Sequence, residues 1–178
     1  MDINIKPPTN SDPTIYRLSN NNITAKETLK NLMNDTNSVI LQITEDKNTT
    51  DHQLKELAII DLQNNELFNR KFYLSTQFVL EWDNIKKLLR NKNVLIYNVD
   101  FTEFIIEQTL RKCSIYENLT LNMIDVMSLY SLISNDTSPI SLQDACAEEG
   151  IKAFVTDNAL NSSYYVKELL DKTLKECN

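Results

Sequence analysis

Apolar positions along this chain follow two rhythms, a strand rhythm in its first third and a helical rhythm in its last. The run VILQIT at 39–44 places strong hydrophobes at 39, 40, 41 and 43, which predicts a strand buried on both faces. Gln42 and Thr44 stand two apart near its end and therefore share one face. LAIIDL near 57–62 and ELFNRKFYL near 66–74 are two further strand-like runs, and Gln63–Asn65 between them predict a hairpin turn. These three runs form an antiparallel meander. From Thr76 to about Arg90 the residues Phe78, Val79, Trp82, Ile85, Leu88 and Leu89 recur at helical spacing, which assigns Trp82 to the core.

Strand and helix then alternate. NVLIY at 93–97 is short, apolar and preceded by a helix, as a strand added in parallel to the sheet would be. Asp100–Lys112 reads as a helix with Phe101, Phe104, Ile105 and Leu110 on its inner side. LTLNMI near 119–124 is the next strand and DVMSLYSLI the next helix. Pro139 breaks the chain, Ser141 caps a helix LQDACAEE, and Gly150 ends it. A last helix runs from about Asp157 to Glu176 with Ala159, Leu160, Val166, Leu169, Leu170 and Leu174 facing inward. At the other end, residues 1–22 are polar, carry prolines and close on SNNN, the composition of a flexible arm. Thr24 and Glu27 fit a capping box for a helix over Ala25–Met33. The expected architecture is an α/β domain over 23–178 with a mixed central sheet flanked by helices.

Composition narrows the function classes. A chain of 178 residues with 42% hydrophobic content can bury a core without disulfides or metals. Its formal charge of -7 repels a phosphate backbone, so nucleic-acid binding is expected to be weak or absent and the expected partner is a protein. The one basic cluster, Lys86, Lys87, Arg90 and Lys92, reads as a solvated helix face. Cys113, Cys146 and Cys177 show no metal-ligand or redox-motif spacing, which predicts reduced thiols in an intracellular, cytoplasmic protein. No run has the length of a signal peptide or a membrane span. Gly150 is the only glycine, so a glycine-rich phosphate loop is excluded, and no cofactor is expected.

The order of these pieces resembles the DnaQ-like 3'-5' exonucleases, the DEDD group to which polymerase proofreading subunits belong. VILQIT followed by LKELAIIDL is similar to the first motif, an apolar strand bearing Asp-x-Glu and then a strand of the type IIEIGAI. VLIYNVDFTEFIIEQTL is similar to the second, where a strand leads into HNAxFD and a helix. NMIDVMSLYSLI, SLQDACAEEGI and DNALNSSYYVKELLDKTL resemble the remainder, ending in the HxALxDA helix. The resemblance covers about residues 38–176 and implies an RNase H-like fold.

Carried over residue by residue, the resemblance implies a degenerate site. The Asp-x-Glu pair falls on Gln42 and Thr44. Asn98 matches the Asn of the second motif, Tyr97 stands where His is common, and the metal-binding Asp falls on Thr102. In the last motif the general-base His falls on Asp157 and the final metal-binding Asp on Ser162. Such enzymes resemble other two-metal nucleases, whose carboxylates supply both hard oxygen ligands and compensating charge. Without that charge, the repulsion between two close dications, on the order of 4 kcal/mol per pair of unit charges at about 4 Å, stands uncompensated. Sliding the alignment by one or two residues brings in Glu45 or Asp46 but restores no pair. Asp100 lies about 200° around its helix from Thr102. Asp157 also reads as a helix N-cap. His52 sits in a polar connection, and Tyr164 and Tyr165 follow Ser162, so they read as loop and packing residues. Two expectations result. One is a catalytically inactive exonuclease-like domain, without metal or catalytic residues, acting as a protein-interaction or regulatory module. The other is an active or nucleic-acid-binding relative with a displaced acidic site among Glu45, Asp46, Asp100 and Asp157.

Overall fold

The computed structural model describes residues 22–47, 52–117, 119–134, 138–152 and 158–176. Along the chain come α1 (Asn22–Asn34), β1 (Ser38–Glu45), β2 (Leu54–Asp61), β3 (Glu66–Lys71), α2 (Ser75–Leu89), β4 (Asn93–Ile96) and α3 (Val99–Lys112). β5 (Asn122–Asp125), α4 (Val126–Ser134), α5 (Leu142–Glu148) and α6 (Ala159–Glu176) complete it. The strands form one sheet in the order β3-β2-β1-β4-β5. β1 to β3 pair antiparallel, whereas β4 and β5 run parallel to β1. The mixed sheet of meander and parallel additions is therefore present.

Period-two alternation on β1 separates two core layers. Ile40 packs with Ile60, Leu95 and residues of α1, α4, α5 and α6. Val39, Leu41 and Ile43 face the opposite way, with Ile59, Val94, Ile96 and residues of α2 and α3. Each large side chain fully buried this way contributes roughly 1.5–3 kcal/mol relative to exposure. The hairpin between β2 and β3 is fixed by Asp61, whose Oδ1 accepts from the backbone N–H groups of Gln63 (2.9 Å) and Asn65 (2.8 Å). Asn64 takes the left-handed φ of 66° that the turn needs. Ser141 caps α5 by accepting from the Asp144 N–H, and Gly150, at φ 64°, closes that helix. Cys113 and Cys146 are free thiols. Burial pushes the Cys146 thiol up to about 11.

Several expectations change. α1 spans Asn22–Asn34, so Thr24 lies inside the helix rather than at its N-cap. The rest of the expected N-terminal arm, and Cys177, lie outside the described residues. β2 starts at Leu54, and β5 starts only at Asn122. On α3, Phe101 and Phe104 are 37% and 44% exposed, while Thr102 and Thr109 are buried. The buried stripe of α3 runs through 99, 102, 105, 106, 109 and 110, one residue out of phase with the two phenylalanines. α6 begins at Ala159, and Asn158 caps it, its Oδ1 accepting from the Asn161 N–H at 3.0 Å. No helix among the described residues is long and apolar enough to cross a membrane.

Trp82 is 2% exposed, in the core as its spacing predicts. Its indole Nε1 donates to Glu117 Oε2 at 3.0 Å, and Lys86 Nζ bonds the same carboxylate while standing 5.6 Å from the indole ring centre. The Lys86 and Trp82 bonds hold the Glu117 carboxyl below its ordinary value. Burial would lower Lys86, but its bonds to Glu117 and Asp83 outweigh that and raise it. A depressed carboxyl contributes stability that is present above its unfolded pKa and lost as pH falls through the folded value. Emission from Trp82, the sole tryptophan, should thus stay constant from neutral pH to about 4.5 and change below it. Glu117→Gln should abolish that acid step; a step of unchanged midpoint in the variant would refute the assignment.

Candidate functional site

The C-terminal ends of β1, β4 and β5 coincide because the three strands are parallel. At that end α3 departs from β4, and α6 packs against β1 and β2. Crevices beyond the carboxyl ends of strands are where α/β sheets hold ligands. Gln42 and Thr44 lie there, on the same side of β1 as Ile40, facing the layer that includes α6. They stand opposite Ala58 and Glu56 of β2.

Glu56 is the residue that sequence reasoning missed. It is 2% exposed, the only acidic side chain so buried among the described residues. Its Oε2 accepts from the backbone N–H of Ala159, the first residue of α6, at 3.0 Å. The first N–H groups of a helix have no intrahelical acceptor, and the positive end of the helix favours a carboxylate. Glu56 therefore ties the second strand to the last helix. A signal existed: in LKELAIID this acid alternates with Ala58 and Ile60 and so points into the core.

Among the described site positions, Gln42 and Ser162 each donate to nearby backbone. Gln42 is buried, and its Nε2 donates to the carbonyl of its own neighbour Leu41 at 2.8 Å. Thr44 Oγ1 is shielded from water with no hydrogen-bond partner. Thr102 is 2% exposed, one turn into α3. Ser162 Oγ donates to Asn158 O at 3.1 Å within the first turn of α6. Asp157 lies outside the described residues. Asn98 adopts the left-handed φ of 70° at the start of α3, its side chain accepting from Phe101 N–H. Asp125, at the end of β5, accepts from the N–H groups of Asn98 (3.1 Å) and Val99 (3.3 Å) and thereby fixes that turn. Tyr97 donates its hydroxyl to Ile140 O at 2.9 Å, and burial pushes its phenol above the ordinary value. It is a buried strut.

Glu45 Oε2 bonds His52 Nδ1 at 3.1 Å, and the His52 ring meets Phe104 edge-on with centres 5.7 Å apart. His52 is thus exposed, as expected, yet held. Asp100 is exposed in the first turn of α3. Tyr164 and Tyr165 pack against the core. Among the described residues no three His, Cys, Asp or Glu side chains gather in an arrangement that could hold a metal ion. The donors at this end, the Gln42 and Asn98 amides, hydroxyls, and the Glu56 and Asp125 carboxylates that backbone N–H groups engage, do not fit the two dications that the DnaQ-like resemblance implies. No family model matches the chain, and no curated protein matches its sequence.

Two substitutions separate the roles of neighbouring groups. Glu56→Ala leaves the buried Ala159 N–H without an acceptor and should cost about 1–3 kcal/mol. Thr44→Val removes a hydroxyl that bonds nothing and should be neutral or stabilising by up to about 1 kcal/mol. Urea-denaturation midpoints check both. A tolerated Glu56→Ala or a damaging Thr44→Val would reverse the assignment.

Proposed function

We propose that this chain is a catalytically inactive DnaQ-like domain that acts as a protein-interaction or regulatory module. The observation that carries the reading is Glu56: the buried carboxylate near the start of β2, beside the end of β1, is engaged by the first N–H of α6. Positions 42, 44, 102 and 162, where the resemblance calls for metal-binding acids, hold an amide and three hydroxyls. The order and directions of the five strands agree with the mixed sheet that the resemblance implies. Glu45 is bonded to His52, and no metal-holding group of three acids, histidines or cysteines forms among the described residues, which favours this reading over a displaced acidic site. A net charge of -7 suits a protein partner better than a phosphate backbone.

End-labelled single-stranded DNA and RNA and a mismatched duplex, incubated with the purified chain and Mg²⁺ or Mn²⁺, should stay intact. Stepwise shortening from the 3' end that survives repurification and disappears in Glu45→Gln or Glu56→Gln would overturn the proposal. Restoring acids should do more harm than good. In the double variant Gln42→Asp, Thr44→Glu, the new Glu faces Glu56 across the β1/β2 pair, and like charges directly opposite are destabilising. Its thermal midpoint should fall below the parent's in chelator, and added Mn²⁺ should recover part of the loss by binding the native state. An unchanged midpoint in chelator would mean that positions 42, 44 and 56 share no pocket.

A further inference from the structure

A recess of about 520 Å³ lies at the end of the sheet opposite the cleft described above. Its walls are the C-terminal half of α2 and the segment entering β5; Asn122, at its rim, is aligned with Asn93, and Asn93 with Ser38 at the start of β1. Its lining is mixed: Leu121 is half-buried, with the buried Leu89, Leu119 and Trp82 behind it and Asn91, Thr120 and Asn122 beside it. Lys86, Lys87 and Arg90 stand around it, with Asp83 and Glu117.

The charges around the recess are not equivalent. Asp83 and Glu117 both bond Lys86, at 3.0 Å each. Lys87 and Arg90 are exposed and make no ion pair among the described residues. The last turn of α2 and its C-cap therefore present two uncommitted cations over a hollow of mixed lining, in a chain whose net charge is -7. One wall is also tied down by side-chain amide bonds. Asn93 Nδ2 donates to Asp35, so its Oδ1 must face Asn122 and receive Asn122 Nδ2. That sequence of bonds fixes the Asn122 amide and leaves its Oδ1 shielded and unbonded.

We infer that this recess docks an acidic peptide segment of a protein partner, with an apolar side chain in the hollow and carboxylates against Lys87 and Arg90. The inference rests on the proposed role as an interaction module and names the chemistry of the partner. A peptide matches each feature. Its carboxylates are localised charges that two cations can meet, and its apolar side chain fills the hollow. A nucleic-acid strand fits worse. It needs a row of cations along its phosphates and exposed aromatic faces for its bases, whereas Trp82 is 2% exposed.

The test is selection of a random-sequence peptide display library on the full chain, with the selected peptides titrated while the Trp82 indole N–H and the Leu119–Asn122 amides are followed by NMR. Enriched peptides should combine Asp or Glu with a large apolar residue and shift those signals. Replacing their acids by Asn and Gln, or using the Lys87→Glu, Arg90→Glu variant, should weaken binding by roughly tenfold or more. Both side chains are exposed, so an unchanged thermal midpoint and acid emission step show the variant folded. No enrichment, neutral or basic consensus peptides, shifts confined to other surfaces, or tighter binding of a single-stranded oligonucleotide to the same residues would each overturn the inference. Nuclease activity of the same preparation would instead overturn the proposed function, so the two failures are distinguishable.

Discussion

The bond from the Ala159 N–H to Glu56 joins two parts of the chain that are 103 residues apart in sequence. It anchors the start of α6 over β2, and α6 then lies across β1 and β2 with Val166, Leu169 and Leu170 in the core. Position and chemistry are linked at this point. A carboxylate that accepts a helix N–H is stabilised where it is and is less available as a metal ligand or base. The same contact therefore organises the fold and limits what the end of the sheet can catalyse.

The neighbouring groups show how such a cleft holds together without charge compensation. Four carboxylates brought together without metal would repel and raise one another's pKa values. Here the amide of Gln42 turns back onto its own strand, Ser162 onto its own helix, and Asp125 onto the turn at Asn98. Polar groups at this end are mostly satisfied by the nearest backbone. The buried Thr44 hydroxyl is unpaired and marks a place where packing offers no compensating bond.

Much of the architecture was legible in the sequence because it depends on period. The apolar run of β1, the hairpin at Asp61–Asn65 and the helical spacing around Trp82 each encode their element locally. What depends on tertiary contacts was less so. Phe101 and Phe104 outrank Thr102 and Thr109 in hydrophobicity, yet the phase set by Val99, Ile105 and Leu110 turns the threonines inward, where Thr109 Oγ1 accepts from Leu54 N–H at 3.0 Å. The site was legible in part: Gln42 and Thr44 share a face near the end of β1, as their spacing requires. Glu56 escaped because an acid within an apolar run gains its meaning only from the helix terminus that reaches it.

Amide hydrogen exchange at Ala159, followed residue by residue in the native chain, tests the central claim most directly. The first amide of a helix ordinarily exchanges freely, because it lacks an intrahelical partner. If Glu56 binds it in a buried joint, the Ala159 amide should exchange as slowly as those of the β1 and β2 core, and Glu56→Gln should accelerate it. Exchange at the rate of an open helix terminus would contradict the account, leaving Glu56 available at the end of the sheet.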